Sequence, residues 1–294
     1  MSPCVDGILL LDKAEGISSN AALQRAKRIL GVRKAGHAGT LDPFATGLLI
    51  LLFGQATKVS NYLLNADKQY RATLRLGEET NTGDREGEIV FRAPVQFDQQ
   101  QLDAALTQFR GRISQIPPMF SAIKRDGQPL YRLARKGLEV EREARSVEIF
   151  SLELVAWRGK ELILDIHCSK GTYVRSLAQD LGRVLGCGAH IRALRRTRSG
   201  SFSIAAAHTL EGLATLHEAR ECPLQAMDLA LQDLPAVTLT ENTAYYVRQG
   251  QGVVIAHAPP PGQIRLYGPQ AQFLGLGEVM EDGKVAPRRL MGVN

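Results

Sequence analysis

An unbroken apolar run, Leu48 to Phe53, follows a loop rich in Gly, Thr and Pro, so that Gly36 to Leu49 reads GHAGTLDPFATGLL. The run is short and bounded by turn residues, and it reads as a buried strand. The loop before it carries a carboxylate, Asp42. Pro43 biases Asp42 away from helical backbone angles, while Gly36, Gly39 and Gly47 permit tight turns or close approach of the backbone. A carboxylate presented this way has the rigid support that chemistry requires. An Asp before Pro also caps turns, so the loop alone leaves a turn-forming and a chemical role open.

The chain has 294 residues, 44% of them hydrophobic and 22% charged, enough to build one large domain and a small one. No apolar run reaches the length of a membrane span, and the start MSPCVDG lacks the basic and apolar segments of a signal peptide. A cytoplasmic protein without a membrane partner is expected. Cys4, Cys168, Cys187 and Cys222 show no C-x-x-C pair and no zinc or disulfide spacing, so four reduced thiols are expected. HEAR, beginning at His217, lacks the second His of a zinc-binding helix, and no metal is implied. There is no GxGxxG or Walker A phosphate loop.

The net charge is +6 and unevenly placed. From Cys168 to Gly200 seven basic residues (Lys170, Arg175, Arg183, Arg192, Arg195, Arg196 and Arg198) face one acid, Asp180. A second cluster, Arg25, Lys27, Arg28, Arg33 and Lys34, precedes the Asp42 loop. Either patch alone could be a solvated face. Two patches bracketing one candidate site point to a polyanionic substrate, of which nucleic acid is the common kind.

Val5 to Leu11 reads as a short buried strand, after which Ser18 or Ser19 can cap a helix with apolar face Leu23, Ala26, Ile29 and Leu30. Tyr70, Ala72, Leu74 and Leu76 alternate as a half-buried strand ending at Gly77. Leu102, Ala105, Leu106 and Phe109 have helical spacing. Pro117 and Pro118 then open a long polar insertion to about Arg145. Ser146 to Trp157 and Glu161 to Cys168 read as paired strands. Tyr173, Leu177, Leu181 and Leu185 mark a helix, and Leu194 to Phe202 a further strand. This mixture without a βαβ rhythm predicts an α+β fold around a mixed, largely antiparallel sheet. The boundary falls near residue 232, giving domains 1–232 and 233–294. The second carries short strands at Val253 to Ala256, Gln263 to Tyr267 and Gln272 to Val279, suggesting a small β barrel.

The Asp42 loop resembles the catalytic motif GTLDPxAxGLL of the tRNA pseudouridine synthase B (TruB) family. Further segments match in the family's order: GILLLDKAEGISS from Gly7, DKQYRATLRLGEETNTGDREG from Asp67, and QIPPMFSAIKRDGQPLYRLARKG from Gln115. CSKGTYVRSLAQDLG from Cys168 and AHIRALRRTRSGSF from Ala189 complete the series. Ala14 stands where a Pro is usual, and Phe120 where a Tyr is common. The resemblance implies the pseudouridine synthase fold with a C-terminal PUA-like RNA-binding domain. It also implies isomerisation of the T-loop uridine of tRNA, conventionally position 55, to pseudouridine.

That reaction breaks the bond from ribose C1′ to base N1 and joins C1′ to C5, so it needs no redox cofactor or energy donor. The resemblance makes Asp42 the catalytic carboxylate. It could attack C1′, attack C6 of the uracil, or remove the C2′ proton, and the residues leave these routes open. Arg175 is expected to pair with Asp42 and keep it ionised. Tyr70 would stack on the flipped uracil and help remove its C5 proton, while Tyr173 and Leu194 would line the nucleoside pocket. His37, read as a loop residue, would stack where the extruded nucleotide had been. Lys13 would support the Asp42 loop. The insertion at about 117–145, with Lys124, Arg125, Tyr131, Arg132, Arg135 and Lys136, would close on RNA. The expected partner is the T-arm of tRNA, bound by a monomer. An RNA-binding folding factor and an RNA N-glycosidase are the alternatives.

Overall fold

The computed structural model describes residues 5–292 apart from Ala122, Asp126, Arg135 and Glu139. Cys4 and Arg135 thus lie outside the described residues, as do the side chains of Lys124, Arg125 and Tyr131.

A nine-stranded sheet forms the larger body. Its main path runs Gly7–Lys13, Thr46–Phe53, Ala189–Ser199, Lys68–Leu76, Glu161–Cys168, Arg145–Arg158 and Gly111–Gln115. Ala35–Ala38 pairs with Thr46–Phe53, and Phe202–Ser203 with Ala189–Ser199. Every pairing in this sheet is antiparallel except that of Thr46–Phe53 with Ala189–Ser199, which is parallel and confined to Thr46 and Gly47 opposite Arg195 and Arg196. The mixed, largely antiparallel α+β architecture is the expected one.

The two-residue alternation of a strand explains why Leu48 to Phe53 is apolar throughout. Leu49, Leu51 and Phe53 pack with Ala22, Leu23 and Ala26 of the helix Ser19–Leu30 in the main core. Leu48, Ile50 and Leu52 enter a second core with Ala56, Val59, Leu63 and Leu276. Ser18 supplies the helix cap, accepting from the Ala21 amide at 3.1 Å. Ser19 is used elsewhere.

The C-terminal sheet has five strands, in the order Ala236–Thr238, Gly262–Tyr267, Phe273–Val279, Lys284–Leu290 and Val253–Val254, curling into a half-barrel. Leu276 carries it into the second core, and Lys58 Nζ donates to the Leu290 carbonyl at 2.7 Å. Tyr62 donates to Gln263 at 2.8 Å across the same seam.

Several expectations are corrected. The strand expected from Leu194 begins at Ala189, because Ala189 and Ile191 also turn into the core while His190 is buried against the Glu78 carbonyl. The insertion is not structureless: Lys124–Arg125 pairs with Gln128–Pro129, and Leu130–Ala134 is helical with Leu130 buried. Cys168 and Cys187 are free and buried, but Cys222 is disulfide-bonded. Backbone pairing of Ile8 with Gln225 brings the segment after Cys222 against the first strand, a long-range approach that sequence spacing does not reveal. No helix among the described residues is long and apolar enough to cross a membrane.

Candidate active site

The Asp42 loop is tied down on every side. Ser19, buried at the start of its helix, donates to the Leu41 carbonyl at 2.9 Å and accepts from the Leu41 amide at 2.8 Å. The Ala45 amide closes a turn onto the Asp42 carbonyl at 3.1 Å. Lys13, 1% exposed, donates to the carbonyls of Ala14, Ile17 and Pro43 at 2.9, 2.8 and 3.2 Å. Burial lowers its pKa to about 8, against the pull of Asp42. Lys13 therefore holds backbone, as the sequence suggested. On the far side Arg196 donates from Nε to Leu48 O at 2.7 Å and from Nη2 to Gly39 O at 3.1 Å.

Against this loop stands Arg175, the second residue of the helix Val174–Val184 and only 5% exposed. Its Nε lies 3.0 Å from Asp42 Oδ2, whose side chain is 34% exposed. Nη1 donates to Thr82 O at 3.2 Å and lies 3.7 Å from Asp84 Oδ2, and Nη2 donates to Phe120 O at 2.7 Å. The guanidinium is thus aimed by four groups, one of them at the base of the insertion. A planar fork so fixed cannot follow Asp42 if that loop moves.

Burial raises the Asp42 pKa, Arg175 draws it down, and Asp84 pushes it up again. The net direction is upward, although Arg175, the expected partner, acts to lower it. Taking a carboxylate out of water opposes its charge more strongly than one guanidinium compensates.

Asp84 is the acid that sequence reasoning missed. It is buried, with Oδ1 accepting from Thr82 Oγ1 at 2.7 Å and from the Glu86 amide at 3.0 Å. It lies within TNTGDREG, where an Asp is an ordinary turn former, so type and spacing gave no signal.

Tyr70 is half-buried on Lys68–Leu76, opposite Arg196 in the sheet register. Burial raises its phenol pKa, with Arg196 acting in the other direction. Tyr173 caps the Arg175 helix in an extended conformation, and buried Gln115 grips it twice, Oε1 accepting from its amide at 3.1 Å and Nε2 donating to its carbonyl at 3.4 Å. Burial also raises the Tyr173 pKa.

His37 is not in a loop: it lies on Ala35–Ala38, opposite Leu51. Glycine and alanine on either side of it hid the strand. Its Nδ1 is buried without a hydrogen-bond partner among the described residues, and burial lowers its pKa. Leu194 is 7% exposed and packs in the main core, beside Ala72 in register. The site therefore brings Asp42 and Asp84 to one guanidinium, that of Arg175. Among the described residues no cluster of His, Cys, Asp and Glu is arranged to hold a metal.

Residues 27–174 match the N-terminal domain of TruB family pseudouridylate synthase. The chain belongs to the TruB family. Two further family models continue the match: the tRNA pseudouridylate synthase B C-terminal domain at 175–236 and the pseudouridine synthase II TruB C-terminal region at 235–291. Among TruB relatives, tRNA pseudouridine synthase B of Ectopseudomonas mendocina (strain ymp) is 53% identical, the match covering 98% of this chain and 95% of the relative. The enzyme of that name from Stutzerimonas stutzeri (strain A1501) is also 53% identical, over 98% and 96%. A solved Cbf5-Nop10-Gar1 complex contains a chain with the same fold, at a TM-score of 0.76 and 26% identity over 99% of this chain and 85% of that one.

Proposed function

We propose that this TruB family chain isomerises the T-loop uridine of tRNA, position 55, to pseudouridine, acting as a cytoplasmic monomer. One observation carries the reading: a half-buried carboxylate, Asp42, is met at 3.0 Å by an almost wholly buried guanidinium, Arg175. Two domains are assigned, a catalytic one to about residue 232 and a PUA-like RNA-binding one beyond it.

Asp42 is the catalytic residue. It acts at the C1′–N1 bond by one of the routes named above, and the detached uracil stays in the pocket until C1′ joins C5. The C5 proton leaves and N1 gains one, so the net change is an isomerisation. Tyr70 stacks on the base; burial opposes its ionisation, so it takes the C5 proton only as it passes its own phenolic proton on. Tyr173 and Leu194 bound the nucleoside, and His37 fills the space left in the T-loop. Extrusion of the base costs about a few kcal/mol, which such a filler offsets.

The test is a single-turnover incubation of purified protein with a T-arm hairpin, without metal or nucleotide. Pseudouridine at the T-loop position supports the reading. Release of free uracil would instead make the protein an N-glycosidase, and binding without conversion a folding factor.

A further inference from the structure

Arg196 is the largest wholly buried side chain among the described residues, 1% exposed. The sequence placed it in a basic patch for gripping phosphate, and burial removes it from that role. Successive residues of a strand face opposite sides, so the Arg195-Arg196 pair divides: Arg195 reaches solvent and pairs with Asp12 at 2.6 Å, while Arg196 turns inward.

What it meets inside is unusual. No carboxylate lies within ion-pair distance of it among the described residues, and its hydrogen bonds go to the backbone carbonyls of Gly39, Thr40 and Leu48. Gly39 and Thr40 precede Asp42, and Leu48 follows it. The bonds therefore span the loop from one end to the other. Arg196 also lies at the one parallel junction of the sheet, opposite Gly47 on one side and Tyr70 on the other. At Gly47 a Cβ would run into the Arg196 backbone, and at Gly39 it would stand 3.4 Å from Nη1. Both ends of the loop approach this arginine closely. A buried charge without a counter-ion is costly, and a shorter neutral side chain could not reach three carbonyls in a fixed plane.

We propose that Arg196 is a positioning residue, a staple that closes the two ends of the Asp42 loop and sets its carboxylate against Tyr70 on the neighbouring strand. This inference rests on the synthase reading above. A misplacement of about 1 Å at a reacting group can cost about a hundredfold in rate, and loss of the staple takes away the one side chain that, among the described residues, bonds both ends of the loop.

The experiment compares Arg196→Lys and Arg196→Met with the unaltered chain in single turnover on a T-arm hairpin, with RNA affinity and far-UV circular dichroism in parallel. A single-turnover trace separates amplitude, the folded competent fraction, from the rate constant of that fraction. The rate constant should fall about tenfold in Arg196→Lys and about a hundredfold in Arg196→Met, with hairpin affinity within about threefold. Reduced amplitude with an unchanged rate constant in Arg196→Lys would overturn the proposal and leave Arg196 as fold support. Should Arg196→Met not fold, Arg196→Lys carries the test alone. 3-Fluorotyrosine at position 70 gives a readout independent of turnover. Its fluorine resonance should move in Arg196→Lys, and an unmoved resonance would overturn the proposal whether or not pseudouridine forms, whereas an inactive unaltered chain with a moved resonance would count against the synthase reading alone.

Discussion

Arg175 Nε lies 3.0 Å from Asp42 Oδ2, and the same guanidinium turns Nη1 toward Asp84 at 3.7 Å, so two acids share one base. Arg175 draws the Asp42 pKa down and Asp84 pushes it up, while burial raises it most.

The two neighbours therefore predict shifts of opposite sign. Activity that needs ionised Asp42 is lost as pH falls through its pKa. Arg175→Met removes the group that lowers that pKa, so the acidic limb of the single-turnover profile moves to higher pH. Asp84→Asn removes a group that raises it, and the limb moves to lower pH. Equal loss at every pH in both variants would assign Arg175 and Asp84 to alignment alone.

Asp42→Asn should abolish turnover while leaving tRNA affinity within about tenfold. It should also stabilise the protein at neutral pH. The folded-state pKa of Asp42 is raised, so its contribution to stability is full below the unfolded value and lost as pH rises through the folded one. An Asn escapes that loss. Thermal midpoints of the two proteins should diverge as pH rises from acid toward neutrality.

How much of this was legible before the fold depends on the residue. Asp42 and Arg175 lie in segments whose neighbours, Gly-Thr-Leu before one and Gly-Thr-Tyr before the other, are themselves informative. Asp84 lies where turn chemistry already explains an Asp. The final strand, Lys284–Leu290, escaped because Pro287, Arg288 and Arg289 interrupt its alternation, while its pairing with Phe273–Val279 passes through a register shift. Arg196 was misplaced by composition, although strand alternation alone requires adjacent arginines to part.

Salt dependence follows the corrected placement. Arg195 is held by Asp12 and Arg196 is buried, so neutralising either should leave the salt slope of RNA binding unchanged. Arg33 and Lys34 are exposed next to Phe53 and Gly54, at the end of the Ala35–Ala38 strand away from the Asp42 loop, and meet no carboxylate among the described residues. Where they contact phosphate, Arg33→Gln and Lys34→Gln should each lower the slope by about one.

Removing the chain after about Leu234 should weaken binding of whole tRNA more than it slows conversion of saturating T-arm RNA. The cut also uncovers the second core where Phe273, Leu276 and Met291 pack. The truncated protein should thus melt at a lower temperature, as scanning calorimetry would show.

Gly47→Ala should destabilise the protein by about 3 kcal/mol or more, because φ is +100° there and the added carbon meets the Arg196 backbone. Denaturant unfolding measures this directly.

The insertion of Ala189–Ser199 between Thr46–Phe53 and Lys68–Leu76 sets a timetable for synthesis. As the ribosome makes the chain from its N-terminus, the strand after the Asp42 loop and the strand bearing Tyr70 are finished early. They must then wait as separate, unjoined edges while more than a third of the protein is translated. Only when Arg195 and Arg196 emerge from the exit tunnel can one strand bridge both. Every shorter nascent chain lacks the bridge that unites Asp42 with Tyr70, and such long-range closure is slow and exposed to wrong pairing. A synthase built in this order cannot act on RNA near the ribosome before most of its own sequence has been read.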